Sequence, residues 1–494
     1  MRRSDRREFL RLSLHALVGS AAFGSAFGKL FLAQNAVASQ RSLLGSDYRA
    51  LVCIYLAGGN DAFNTVIPRD PAGHAQYAQT RSFLAVAQSA LIPIHPLSGP
   101  QNGGEWGLHP ELSGIAELFQ QGRAAIIANV GPLVRPTNRQ LYQQPGFPLP
   151  PQLFSHSDQT VVWQTPRADT SARIGWGGKL ADIFHATNPN QVLSMNVSLA
   201  GENVFQAGEL VLPYFVSPRG VEEISAIATG QPNCQPSNHW QRRRCLTFRA
   251  ILDLPHAHVF ERAYAARTRQ AMATTEQVLA ALAQYPNNDP LYRPFWERAG
   301  LPWNPDNLAE LPPLSAQLLM ILRLIRARGT LGMLRQLFYA ELGGFDTHGE
   351  QASQHPPLLR QFSQAVRAFQ EVLDTLGLAE RVTTFTASEF GRTLTVNSSG
   401  TDHGWGGHHF VFGGSVRGRR IYGRMPSLAA QNNPDDAGWG QIIPTLSVDQ
   451  YAATLAKWFG LADADRDLIF PNLVHMTGPI LAIPGPDLGF LQPL

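Results

Sequence analysis

The chain has 494 residues, 44% of them hydrophobic and 16% charged, with 40 Lys and Arg against 37 Asp and Glu. That balance excludes a disordered chain and supports a sizeable core, in one big domain or two. A formal net charge of +3 without a long basic run argues against nucleic acid as a partner.

The N-terminus sets an arginine pair, Arg6 and Arg7, ahead of Glu8, Phe9 and Leu10, then a mildly apolar stretch, then Ala36-Val37-Ala38. This is the pattern of a twin-arginine signal peptide over 1–38, with Asp5 and Arg11 as departures from the usual motif. It implies the twin-arginine translocase as a partner during export and a periplasmic or secreted destination. A retained amphipathic anchor is the alternative. No later segment reaches the ~18 apolar residues of a spanning helix, so no stable membrane span is expected after cleavage.

Residues 39–494 are expected to form a single α/β domain. Residues 48–56 form an apolar run suited to a strand buried on both faces. Gly58 and Gly59 provide a tight turn that sets Asp61 over the sheet edge, although Gly-Gly-Asn-Asp is also ordinary turn chemistry. A helical pattern from Pro110 to Gln121 followed by the strand AAIIANV implies crossover connections and a parallel sheet. In FSHSDQ, Ser155 and Ser157 precede a helical stretch, where a hydroxyl can serve as a nucleophile if a metal lowers its pKa. A plain N-cap is the competing reading.

GWGGK around Trp176 reads as a tight turn. The run RRRC at 242–245 reads as a solvated loop, and Cys234 and Cys245, which bracket it in an oxidising compartment, are expected to form a disulfide. Cys53 reads as a buried thiol. Residues at about 200–310 read as an inserted helical and loop region, with a long helix from about Val259. Ser315 is the expected N-cap of an apolar helix that feeds the strand QLFYAEL.

That strand ends in GGFDTHGEQ, where Asp346 and His348 stand two apart, a spacing that suits a loop. Next, RVTTFTA leads into SEFGRT with Glu389, and a polar loop reaches TDHGWGGHH, with Asp402 and His403, before the apolar FVFGG. Carboxylates and imidazoles thus follow three strand ends, where parallel sheets gather ligands. The pattern predicts a metal-centred site: Zn²⁺, Mn²⁺ or Fe²⁺ if imidazoles dominate, Ca²⁺ or Mg²⁺ if few of them ligate.

In this order, GGND, SHSDQ, GGFDTH, SEFGRT with Asn397, and GTDHGWGGHH with FVFGG resemble the exported bacterial domain-of-unknown-function family 1501 over nearly the whole mature chain. That family is similar to the alkaline phosphatase and sulfatase superfamily. The resemblance implies a doubly wound, mostly parallel sheet with helices on both faces, an alkaline phosphatase-like fold. It further implies that Asp61, Asp346, His348, Glu389 and His403 supply the metal ligands. Glu389 replaces a shorter aspartate and Phe390 a histidine, so one divalent ion (Zn, Mn, Ca or Mg) is expected rather than two. Ser155, Ser157 and Thr65 compete as nucleophile. Arg392 would grip an anion, and His408 would orient a ligand or protonate the leaving group. The expected activity is hydrolysis of a small anionic ester, phosphate or sulfate. A non-catalytic binding or secretion-accessory protein, and more remotely a lyase or transferase, are the alternatives.

Overall fold

The first strand, β1 (Arg49–Leu56), shows why the sheet is covered on both sides. Because side chains alternate along a strand, Ala50, Val52 and Ile54 enter one apolar layer and Leu51, Cys53 and Tyr55 the other. The computed structural model describes residues 47–169, 173–221, 234 and 239–493. The proposed signal peptide at 1–38 lies outside them.

Eight further strands join β1: β2 (Ala124–Gly131), β3 (Asn196–Ser198), β4 (Tyr214–Phe215), β5 (Arg335–Leu342), β6 (Val382–Ala387), β7 (Gly407–Phe412), β8 (Ile421–Tyr422) and β9 (Leu446–Ser447). The order is β8-β2-β7-β6-β1-β5-β3-β4, with β9 also paired to β2. All pairings are parallel except the two made by β7, which runs antiparallel to β2 and β6. The expected mostly parallel, doubly wound α/β sheet is therefore present, with one reversed strand inside it.

The helices used below are α1 (Pro71–Arg81), α2 (Ser113–Gln120), α3 (His156–Gln164), α4 (Trp176–Phe184), α5 (His239–Leu252), α6 (Val259–Leu282), α7 (Pro313–Arg326), α8 (Gln351–Thr375) and α9 (Val448–Phe459). Helices α2, α7 and α8 pack on one face through Leu118, Ile321 and Phe369. On the other face, α3, α4 and α9 bring Trp163, Leu180 and Leu455. Burying a Leu or Phe is worth ~1.5–3 kcal/mol, so these two layers hold the sheet.

Local readings divide. Ser447 caps α9 with a reciprocal capping box to Gln450. Cys234 and Cys245 form the expected disulfide, and Cys53 is a buried free thiol. Three readings are corrected. The GWGGK stretch is the start of α4, not a turn; its glycines serve close packing, since a Cβ on Gly178 would sit 2.0 Å from the Ala207 carbonyl oxygen. The arginines 242–244 are exposed as expected, but on helix α5. Ser315 lies buried inside α7, which starts with Pro313 in its first turn, where a missing N–H costs nothing.

Topology then positions the site. β1, β5 and β6 are parallel neighbours and end together, with Leu56 level with Leu342 and Tyr55 with Ala387. β7, being reversed, enters at that same edge, and β2, reversed again, leaves there. Loops 57–61, 343–350, 388–406 and 132–155 thus converge on one end of the sheet.

Candidate metal centre

Three imidazoles and one carboxylate meet above that edge. The His403 Nε2 lies 2.8 Å from the His348 Nε2 and 3.3 Å from Asp346 Oδ1. The His348 Nε2 is 3.1 Å, and the His156 Nε2 3.4 Å, from the same oxygen. Donor atoms of His156, Asp346 and His403 all lie within 4.8 Å of one another, the spacing of ligands around a common ion.

The far side of each ring has an oxygen partner. His156 Nδ1 faces Glu389 Oε1 at 2.8 Å, His348 Nδ1 faces Asp402 Oδ1 at 2.9 Å, and His403 Nδ1 faces the Phe154 carbonyl oxygen at 2.6 Å. Each partner is an oxygen acceptor, so a neutral ring that carries its proton on Nδ1 has Nε2 free to ligate. The three Nε2 atoms gather around Asp346 Oδ1. Two lone pairs at 2.8 Å repel unless a proton or a cation lies between them, and metal-binding histidines are held by this kind of outer bond to carboxylate or carbonyl.

Three carboxylates, Asp346, Glu389 and Asp402, stand around the cluster against one guanidinium, Arg392. Burial pushes the Asp346 carboxyl up, but the Arg392 guanidinium, 2.7 Å away, outweighs it and holds the pKa below the usual range. His156 is raised, first by its bond to Glu389. His403 is lowered by burial, only partly offset by its bond to Phe154. The Asp346 side chain is 44% exposed, so the cluster opens to solvent. Phe390 forms one wall, its ring stacked on His403 at 4.6 Å and tilted against His156 at 4.9 Å.

The other predicted residues sit elsewhere. Asp61 is fully buried, ion-paired with Arg81 at the end of α1 and bonded by Gln351 of α8, while its second oxygen accepts from the Phe63 amide at 3.1 Å. Glu389 stands behind His156, and its Oε1 also accepts from the Gly58 amide at 2.8 Å. Arg392 is buried and spends its nitrogens on Asp346, the Gly58 carbonyl and Thr401, so its fork serves the protein rather than an open anion pocket. His408 is buried in β7; its Nδ1 accepts from the Asn129 amide at 3.0 Å, and burial lowers its pKa to about 4. Ser155 caps α3 by position, but its hydroxyl donates to Asp158 at 2.7 Å, and Ser157 is exposed beside it. Thr65 turns its hydroxyl to the Ala62 carbonyl.

His156 is the residue sequence reasoning passed over. Its signal was a histidine in the first position of a helix that follows a strand-end loop, in a segment searched only for hydroxyls.

Residues 227–465 match the family described as "Protein of unknown function (DUF1501)". The matched stretch is just under half of the chain. It holds Asp346, His348, Glu389, Asp402 and His403, but not His156. No curated protein matches the chain. Among solved structures, the PsFucS1 sulfatase from Pseudoalteromonas sp. aligns over 90% of this chain and 74% of its own, at 10% identity and a TM-score of 0.33. A likeness that distant carries no argument about activity.

Proposed function

We propose that this chain is an exported, metal-dependent hydrolase of phosphate or sulfate esters, holding one divalent ion between His156, Asp346, His348 and His403. The observation that carries the reading is the convergence of three Nε2 atoms on Asp346 Oδ1. A donor set with three imidazoles favours Zn²⁺ or Mn²⁺ over Ca²⁺ or Mg²⁺, which prefer oxygen. Such an ion polarises an ester oxygen and lowers the pKa of a bound water.

The chain's own residues prepare that chemistry. Glu389, Asp402 and the Phe154 carbonyl hold three ring orientations by their bonds to Nδ1, so that each Nε2 faces the cluster. Arg392 keeps Asp346 ionised and fixed. The Phe390 ring shields the inner side of His403, while the solvent-open side admits the ester. Residues 1–38 carry the export reading. No helix among the described residues is long and apolar enough to cross a membrane.

A binding protein that retains a metal is the second reading. It is favoured by the full use of Arg392 and by Phe390 in the wall. The test is turnover of aryl and alkyl phosphate and sulfate monoesters by protein reconstituted with Zn²⁺ or Mn²⁺. Turnover lost in His403→Ala supports the hydrolase. A metal-replete protein that turns over neither class supports the binder.

A further inference from the structure

The end of the sheet opposite the cluster carries its own concentration of charge. Arg49 opens β1, and at ~3.3 Å per residue it stands about 23 Å from Leu56 at the edge where the histidines gather. There Arg49, Arg417 and Lys457 line a pocket of about 400 Å³, the size of a small-molecule site. Asp487 is the one carboxylate among the described residues of its wall.

That wall is tied together by backbone. The C-terminal segment runs beside residues 415–417: the Arg417 amide donates to the Phe490 carbonyl at 2.9 Å, and the Gln492 amide to the Ser415 carbonyl at 2.8 Å. The Leu488 amide donates to the Thr454 hydroxyl oxygen of α9 at 2.9 Å. Walls held in this way need little ordering around a ligand.

The acids nearby are already engaged. Asp487 accepts from Lys457 through one oxygen and from the Gly489 amide through the other, both at 2.9 Å. Asp47, beside Arg49, is shared by Arg49, Arg335 and Arg381. Burial, and then the charge of Arg49, pull the Arg335 guanidinium down to about 10, as crowded cations do. Arg417 is exposed, and its guanidinium has neither an ion pair nor a hydrogen bond among the described residues. Trp458 also lines the pocket; it is 4% exposed, and its Nε1 finds no acceptor among those residues. The groups left over are donors, so the chemistry that complements them is an acceptor.

We propose that this pocket binds a small organic phosphate, at a ligand site separate from the metal cluster. Three cations less one carboxylate leave the wall two positive charges. A phosphate monoester, at about −1.5 to −2 near pH 7, matches them, whereas a singly charged carboxylate or sulfate does so by half. A guanidinium takes phosphate oxygens two at a time, which suits the unspent fork of Arg417. Leu491 and Pro493 offer an aliphatic body a surface that a bare phosphate ion would leave unused. Ligand here is held away from the histidines, so the site stands whether or not the cluster hydrolyses esters.

The experiment is calorimetric titration of wild type, Arg417→Gln, Arg417→Lys, the double variant Arg417→Gln/Lys457→Gln, and His403→Ala. The probes are butylphosphonate, which has no ester bond to lose, butylsulfonate and inorganic phosphate. The expected result is one butylphosphonate per chain in wild type and in His403→Ala, with affinity about tenfold lower in Arg417→Gln, lower again in the double variant and intermediate in Arg417→Lys. Butylsulfonate and inorganic phosphate should both bind wild type more weakly than butylphosphonate. Thermal unfolding of each variant shows that it is folded, and the exposed position of Arg417 makes its variants the decisive ones. No uptake by wild type, or wild-type affinity in folded Arg417→Gln, would overturn the site. Binding lost in His403→Ala but kept in both charge variants would place the anion at the metal cluster instead. Equal affinity for all three probes would mean an adventitious ion only.

Discussion

Two sets of histidines, built from the same side chain, meet opposite fates here. The outer set, His156, His348 and His403, turns its Nε2 atoms toward one Asp346 oxygen at the rim of the sheet. The inner set, His109, His355, His408 and His409, is buried just behind it, and burial lowers every member far below its usual pKa, His109, His355 and His408 to about 4 and His409 to about 3. His403 and His408 are five residues apart in one motif, yet they fall in different sets because β7 begins between them. The difference teaches that an outward acceptor on Nδ1, together with an Nε2 turned toward other donor atoms, marks the candidate ligands of the proposed site. An imidazole in a metal-like motif does not.

The comparison is broken most forcefully by removing the shared carboxylate or an outer ring. Asp346→Ala and His403→Ala are expected to abolish tight metal binding after dialysis, measured by equilibrium dialysis against Zn²⁺, with the fold intact by circular dichroism. Retained affinity in both would mean that the cluster is not the site.

One layer out, Asp402→Asn and Glu389→Gln remove the acceptors that orient His348 and His156. Metal affinity should fall ~10–100-fold without being lost. An unchanged affinity would deny the outer bonds any orienting role.

The inner set is expected to behave the other way. His408→Ala strips the acceptor from the buried Asn129 amide, a cost of about 1–3 kcal/mol in urea unfolding, with metal content unchanged. A variant of wild-type stability that loses metal would reverse the assignment.

The smallest and most diffuse effect is that of acid. The inner imidazoles have folded pKa values below the unfolded value of about 6.5, so between there and about pH 4 the unfolded chain binds protons that the folded chain refuses. Their contribution is complete above pH 6.5 and is lost as pH falls to 4. The urea midpoint should decline over that window, and less steeply in His408→Gln; a flat profile in the wild type would contradict burial as the cause.

Much of the frame was legible because it rests on patterns that act locally. The apolar runs at 48–56 and 124–130 read as buried strands, since the burial pattern of a strand depends on near neighbours. Strand-end placement also brought Asp346, His348 and His403 to notice before any contact was known. What escaped depends on distant partners. Arg81, twenty residues away, decides that Asp61 is spent on an ion pair. The approach of the loop at Ala207, not a turn, explains Gly178. His156 joins the cluster only because β2 and β7 run antiparallel and deliver its loop to the shared edge, a fact of topology with no short-range signature.

The most direct test of the central claim is elemental mass spectrometry of metal per chain in wild type and His156→Ala, with Asp61→Asn as a control. The expected result is one Zn or Mn per chain in wild type, little or none in His156→Ala, and the wild-type amount in folded Asp61→Asn. A wild-type chain that takes up no metal, or a His156→Ala protein that keeps it while Asp61→Asn loses it, would contradict the account.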